Sequence, residues 1–226
     1  MKILGIETST PRAGLAIVDG ERIIAEAILP GEVTHSASLI PTLDGMLKEH
    51  NIGLKDLRGI AVGIGPGSFT GIRLGLAVAR GLSFSLGIPI RGVCGFDNVL
   101  AECEVTASRI CPLINAHSYG FYTAVYEKKG RSFTRAGELF VCQPDELAGR
   151  VKGEIFFMGP HLGRFREALA RVFGPRASFD DSDSFPTALS AVLLYESPIA
   201  LRDDPPGAVG PLYILPGVRV RSVSRR

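Results

Sequence analysis

Seven residues near the middle of the N-terminal half, Gly65-Pro66-Gly67-Ser68-Phe69-Thr70-Gly71, carry the clearest chemical signal in the chain. They follow a short apolar run, Ile60-Ala61-Val62-Gly63-Ile64, and open a long apolar helical stretch from Ile72 to Leu86. Strand, glycine-rich turn and helix, in that order, present backbone N–H groups and a positive helix end to an anion such as a phosphate. The loop holds no lysine and does not match the Walker pattern, so ordinary P-loop chemistry is not expected. The same glycines also suit a purely structural use, a tight strand-to-helix turn with Gly67 and Gly71 at unusual dihedrals. Both readings stay open at this point. The histidines (His35, His50, His117, His161) include no His-x-x-x-His or His-Glu-x-x-His pair, so neither a metal nor another cofactor is expected.

Periodicity places these residues on recognisable elements. Strands are expected at 2–7, 15–18 and 22–28, the last two joined by an Asp19-Gly20 hairpin turn. From Ser36 the residues Leu39, Ile40, Leu43, Met46 and Leu47 recur at helical spacing, with Ser36 or Ser38 as a cap and Pro41 tolerable in the first turn. A strand at 58–64, the glycine loop, a helix from Gly71, a strand at 89–93 and a short helix from 96 to about 102 complete a first lobe. The second half partly repeats this opening: a strand at 109–114, a polar turn at 115–118, a strand at 120–126, a Lys129-Gly130 hairpin and a strand at 132–136. A strand at 154–158 and helices near 162–172 and 186–195 follow, and 203–217 reads as loop. The expected organisation is an N-terminal lobe at 1–104 and a C-terminal lobe at 105–226, with the last helix available to pack back on the first lobe. This duplication is the pattern of the actin-like ATPase (ribonuclease H-like) α/β fold, mixed sheets with flanking helices and two lobes facing a nucleotide cleft.

Composition narrows the class. Hydrophobic residues at 46% and charged residues at 21% describe an ordinary globular protein, and a net charge of +2 is too small to predict nucleic-acid binding by itself. Arg73 and Arg80 interrupt the longest apolar run, which argues against a membrane span. Four cysteines without a C-x-x-C pair, and a strand beginning at Lys2 with no secretory leader before it, lead us to expect reduced thiols in a cytoplasmic protein.

Three segments together resemble the TsaB (YeaZ) family: Ile3-Leu4-Gly5-Ile6-Glu7-Thr8-Ser9-Thr10, then His35-Ser36 ahead of Leu39-Ile40-Pro41, then Ala61-Val62-Gly63 with Gly65 through Ala77. The resemblance is strong over residues 1–100 and is carried afterwards by 109–114, 122–126 and Pro211-Leu212-Tyr213. It implies a non-catalytic subunit in the bacterial machinery that puts threonylcarbamoyl on adenosine 37 of tRNAs reading ANN codons. It further implies a TsaD-like subunit that performs the transfer, a TsaE-like ATPase docking near the junction, a homodimer when the chain is alone, and tRNA met only through the complex. No catalytic residue is assigned. Ser9, Thr10, Gly65, Gly67 and Ser68 are the candidate nucleotide contacts. His35, Leu39, Leu43, Leu47, Gly71, Gly75, Leu76, Ala79 and Arg80 are the candidate partner-facing residues on the 36–49 and 71–86 helices.

The second helix decides between two uses. Gly71, Gly75, Ala79 and Ser83 form a strip of small residues that admits another backbone, and Leu74, Val78 and Leu82 lie beside it. Either the sheet and the 36–49 helix cover this face, or a partner does. One departure from the family stands out: Asn115 and His117 occupy a turn that usually holds an aspartate and an arginine. Glu7 therefore has no second carboxylate, which removes two-carboxylate acid–base chemistry. The enzyme alternative is an ATP-dependent small-molecule kinase of the same superfamily using Glu7 and the 65–71 loop. A metallopeptidase lacks its histidine spacing; in the related TsaD family a His-x-x-x-His pair follows the equivalent of the 89–93 strand, whereas this chain reads Gly92-Val93-Cys94-Gly95-Phe96-Asp97-Asn98. A direct tRNA-binding role would rest on the four arginines among residues 219–226, which read more simply as a solvated end. Asp180-Asp181-Ser182-Asp183 reads as an acidic loop.

Overall fold

A computed structural model describes residues 1–29, 35–101, 103–130, 132–182, 184–199, 201–202 and 208–214, with backbone alone for 35–36 and 201–202. The arginine-rich stretch at 219–226 lies outside the described residues. In chain order the strands are β1 (Lys2–Glu7), β2 (Gly14–Asp19), β3 (Arg22–Ile28), β4 (Leu57–Gly63), β5 (Ile90–Val93), β6 (Arg109–Pro112), β7 (Ile114–Asn115), β8 (Phe121–Thr123), β9 (Tyr126–Lys129), β10 (Ser132–Arg135), β11 (Phe140–Cys142), β12 (Ile155–Met158), β13 (Ala177–Phe179) and β14 (Leu201–Arg202). The helices are α1 (His35–Glu49), α2 (Phe69–Leu86), α3 (Gly95–Leu100), α4 (Pro144–Arg150), α5 (Leu162–Phe173) and α6 (Ala188–Leu193). They divide into two compact units, Met1–Glu102 with Pro186–Leu212, and Cys103–Phe185 with Tyr213–Arg226.

The first unit is built on one sheet, ordered β14-β5-β4-β1-β2-β3. β1 pairs antiparallel with β2 and parallel with β4, and β4 pairs parallel with β5. A strand alternates its side chains between two faces, and the residue sizes on each face differ accordingly. Leu4, Ile6, Ile60 and Val62 point into a large core closed by Leu39, Leu43, Met46 and Leu47 of α1 and Ile72, Leu76 and Ala79 of α2. On the other face Ile3, Ala61 and Val93 meet Ala191, Val192 and Tyr195, on and just after α6. That face carries glycines because α6 comes close. A Cβ on Gly5 would strike the Ala188 carbonyl oxygen, and one on Gly59 would strike the Tyr195 hydroxyl. Leu39, Leu43, Leu47 and Ala79 are all buried in this unit, and Leu76 is only 4% exposed.

Buried Asn98 of α3 ties this layer together. Its Nδ2 donates to the Thr187 carbonyl at 2.9 Å, and its Oδ1 accepts from the Thr187 N–H at 2.9 Å. Thr187 in turn caps α6, its hydroxyl accepting from Ser190 N at 2.9 Å. Asn98→Ala removes the partner of both backbone groups of half-buried Thr187, and we expect a loss of about 1–3 kcal/mol in urea unfolding.

The second unit holds a five-stranded sheet, β10-β9-β6-β12-β13, and a three-stranded one, β11-β8-β7. Phe121, Phe157, Phe165 and Phe173 fill its core, with Phe121–Phe165 and Phe157–Phe173 meeting edge-on at 5.0 and 5.1 Å. The sequence predicts single strands at 109–114 and 120–126; each is divided. Leu113 donates its N–H to the Met158 carbonyl at 2.8 Å, after which the chain leaves β6 for β7 in the other sheet. Four elements have no counterpart in the predicted set: β11, α4, β13 and β14. α2 begins two residues earlier than predicted and α6 is shorter, because Ser68 and Thr187 supply the caps. Among the described residues no helix is long and apolar enough to cross a membrane, and no group of three His, Cys, Asp or Glu side chains could hold a metal ion.

Candidate functional site

The turn after β1 and the glycine loop after β4 lie at the same end of the parallel strands and are joined directly. Ser68 donates its N–H to the Ser9 carbonyl at 2.7 Å, and the Thr8 hydroxyl donates to the Gly71 carbonyl at 2.7 Å. The glycines are what allow this approach. A Cβ on Gly67 would overlap the Ser9 carbonyl oxygen, one on Gly71 the Thr8 carbonyl oxygen, and one on Gly75 the Thr8 hydroxyl. The structure thus brings the five candidate nucleotide contacts, Ser9, Thr10, Gly65, Gly67 and Ser68, into two touching segments. It also assigns several N–H groups at the helix start to the protein itself. Beyond Ser68 N, Gly71 N donates to Ser68 Oγ at 3.2 Å and Ile72 N to the Ser68 carbonyl at 2.9 Å.

Glu7 closes the end of β1 and is fully buried. Its Oε1 accepts from Ser9 N at 2.7 Å, whereas Oε2 has no hydrogen-bond partner. Burial pushes the carboxyl above its ordinary pKa, opposed by the Ser9 hydroxyl beside it and by the Ser9 and Thr8 backbone N–H groups. Sequence reasoning missed the residue that makes room for it. Gly63, the last residue of β4, leaves the space the carboxyl occupies, and a Cβ there would collide with both carboxylate oxygens. The available signal was a glycine following the apolar run Ile60-Ala61-Val62 at the end of a strand, which marks a close approach.

The two partner-facing helices settle differently from their apolar pattern. Leu39, Leu43 and Leu47 on α1, and Gly71, Gly75, Leu76 and Ala79 on α2, form the inner faces that pack on the sheet. The small strip meets the chain's own Thr8, its carbonyl at Gly71 and its hydroxyl at Gly75, and these seven residues are buried within this chain. Arg80 reaches along its own unit and donates to the Val209 carbonyl at 2.6 Å. The His35 side chain lies outside the described residues. What α2 leaves outward is a stripe at Phe69, Arg73, Ala77 and Phe84, with the Arg73 guanidinium 3.8 Å above the Phe69 ring and Phe84 92% exposed. α1 leaves Ile40 outward. An exposed phenylalanine amid core-facing neighbours is a residue that hydropathy alone does not single out.

Asn115 and His117 stabilise each other's turn. Asn115 Oδ1 accepts from His117 N at 3.0 Å, Asn115 N donates to His161 Nδ1 at 3.3 Å, and His117 sits at a φ of 55°. A short polar side chain bonding two residues ahead is the ordinary use of asparagine in such a turn.

Comparison with known proteins places this arrangement. The family model for TsaD, tRNA N6-adenosine threonylcarbamoyltransferase, matches residues 25–173. The tRNA threonylcarbamoyladenosine biosynthesis protein TsaB of Bacillus subtilis is 34% identical over 185 residues, covering 78% of each chain. The chain belongs to the TsaB family. YeaZ from Pseudomonas aeruginosa superimposes with a TM-score of 0.68 at 27% identity, over 86% of this chain and 91% of that one. A likeness to the ROK hexokinase of Thermus thermophilus, at TM-score 0.50 and 15% identity over 85% of this chain and 97% of that one, shows the actin-like fold alone. The TsaB relationship extends beyond the glycine loop, since the match to TsaB of Bacillus subtilis is longer than the whole first unit before α6.

Proposed function

We propose that this chain serves, as TsaB-type subunits do, in tRNA threonylcarbamoyladenosine formation, as the non-catalytic partner of a TsaD-type transferase. The observation that carries the reading is the relationship to TsaB of Bacillus subtilis over 78% of both chains. Glu7 supports it as well: buried, tied to Ser9 and roofed by Gly63, it offers no carboxylate to a substrate. In this reading the glycine loop holds the start of α2 against β1, and α2 with α1 turns its outer face, Phe69, Arg73, Ala77, Phe84 and Ile40, to the transferase. A TsaE-type ATPase docks near that junction, the isolated chain pairs with itself through the same face, tRNA is met only through the complex, and the setting is the cytoplasm. The kinase alternative is not favoured, since the hexokinase likeness carries the fold and nothing more.

The test is reconstitution with the TsaD-type subunit of the same organism, read by size-exclusion chromatography with light scattering and by modified-adenosine formation on tRNA. A 1:1 complex, with modification that requires both chains and no ATP turnover by this chain alone, is the expected result. ATP turnover by the isolated chain, with no complex, would return the kinase reading.

A further inference from the structure

The end of β1 buries a titratable group that no neighbouring charge offsets. Glu7 is fully buried, and so are Thr8, Ser9 and Thr10 in the turn that follows it. An ionised carboxylate out of water is costly unless a cation or enough hydrogen bonds replace its hydration, and otherwise the group takes up a proton. The elements against Glu7 supply no cation. Gly14 stands beside it on β2 and Gly63 on β4, and neither the glycine loop nor α6 contains a charged residue. Lys2, Asp19 and Arg58 lie at the far ends of β1, β2 and β4. Arg12 before β2, Arg73 and Arg80 on α2, and Asp97 on α3 are the other charged residues of the adjoining elements, and none of them enters its protonation balance. The donors that reach the carboxyl come from its own turn, and burial outweighs them.

The same turn holds the start of α2. Ser9 donates its N–H to Glu7 Oε1 at 2.7 Å and accepts at its carbonyl from Ser68 N at 2.7 Å, and the Thr8 hydroxyl donates to the Gly71 carbonyl at 2.7 Å. β1 is fixed between β2 and β4, so the carboxyl can regain water only if Thr8–Thr10 swing off the glycine loop. We propose that Glu7 is a pH-sensitive latch: neutral, it lets the β1 turn hold the start of α2, and ionised, it releases that contact. Below the ordinary glutamate value of 4.5 the carboxyl is protonated in the closed and the open chain alike, and the contact is complete. As pH rises, the open form ionises first, so the contact weakens progressively until the closed form ionises too. Each unit by which burial raises the carboxyl loosens the contact about tenfold. The latch does not depend on the proposed partner role.

The experiment is NMR on the whole chain from about pH 4 to about pH 9, following the Glu7 carboxyl carbon and the hydrogen-exchange protection of Ser68 N–H, corrected for the intrinsic exchange rate. The carboxyl is expected to titrate about one unit or more above its ordinary value, and Ser68 protection to fall about tenfold or more on the way to that midpoint. Glu7→Gln keeps the shape and stays neutral, so its Ser68 protection should not change with pH. A Glu7 midpoint in the ordinary carboxylate range or below overturns the latch. A raised midpoint with constant Ser68 protection means that the carboxyl ionises in place, and also overturns it. A fall in protection that persists in Glu7→Gln assigns the effect to another group and overturns it as well. Should Glu7→Gln fail to fold, the wild-type chain decides: protection must level off at the pH where the carboxyl carbon titrates, and a mismatch between the two overturns the latch.

Discussion

Gly71→Ala is expected to destabilise the first unit by about 3 kcal/mol or more, the range of a severe overpacking defect. Alanine is normally the better helix former by about 1 kcal/mol, so propensity alone predicts the opposite sign. The reversal comes from Thr8. A Cβ at position 71 would overlap the Thr8 carbonyl oxygen and stand 3.0 Å from its carbon, and that atom is backbone held within the β1 turn. The Thr8 hydroxyl also donates to the Gly71 carbonyl at 2.7 Å, so the helix cannot retreat without breaking that bond. Gly81, ten residues further along the same helix, supplies the control: nothing lies within 4 Å of a Cβ there. Gly81→Ala should therefore stabilise by about 0.5–1 kcal/mol. Urea unfolding of the two variants side by side checks both signs. Equal effects at the two positions would mean that the contact between the glycine loop and the β1 turn does not constrain α2.

Phe84→Asp is expected to weaken the complex with the TsaD-type subunit by about 100-fold while leaving folding intact, since truncated aromatic anchors at interface centres cost about 2–4 kcal/mol. Phe84 is 92% exposed, so charging it removes no contact within this chain, and Tm should stay within about 1 °C of the parent. Leu76→Glu on the same helix is the contrasting case. At 4% exposed it packs in the main core with Leu4, Ile6 and Val62, and a buried unpaired carboxylate there should prevent folding altogether. Isothermal titration against the partner, with circular dichroism on each variant, separates loss of interface from loss of fold. Wild-type affinity in Phe84→Asp would remove the outer face of α2 from the proposed interface.

The contrast between Phe84 and Leu76 shows where sequence reading stops. Helical spacing from Ile72 to Leu86 is legible because the period of a helix is local, and so are the strands around it. α4 was legible too, in Pro144 at the first helical position and Glu146 positioned to accept from Gln143 N at 3.0 Å, although sequence reasoning left it out. The division at Leu113 was not legible. Its cause is a hydrogen bond to Met158, 45 positions away, and no local pattern encodes that partner.

By itself the sequence determined the order of strands and helices, because their periods and turn glycines are written in contiguous residues, and the family through the resemblance carried by Ile3–Thr10 and Gly65–Ala77. It also placed Glu7 at the end of a buried strand. Only the tertiary structure decided which face of α2 is core, since a helix apolar on most sides offers two faces and the sheet can cover one. It alone showed that the loop glycines admit the Ser9 and Thr8 carbonyls, and that Glu7, Ser9 and Thr10 keep three buried oxygens unpartnered. Those facts arise where β1 and β4 are brought side by side, and a chain read residue by residue does not contain the distance between them.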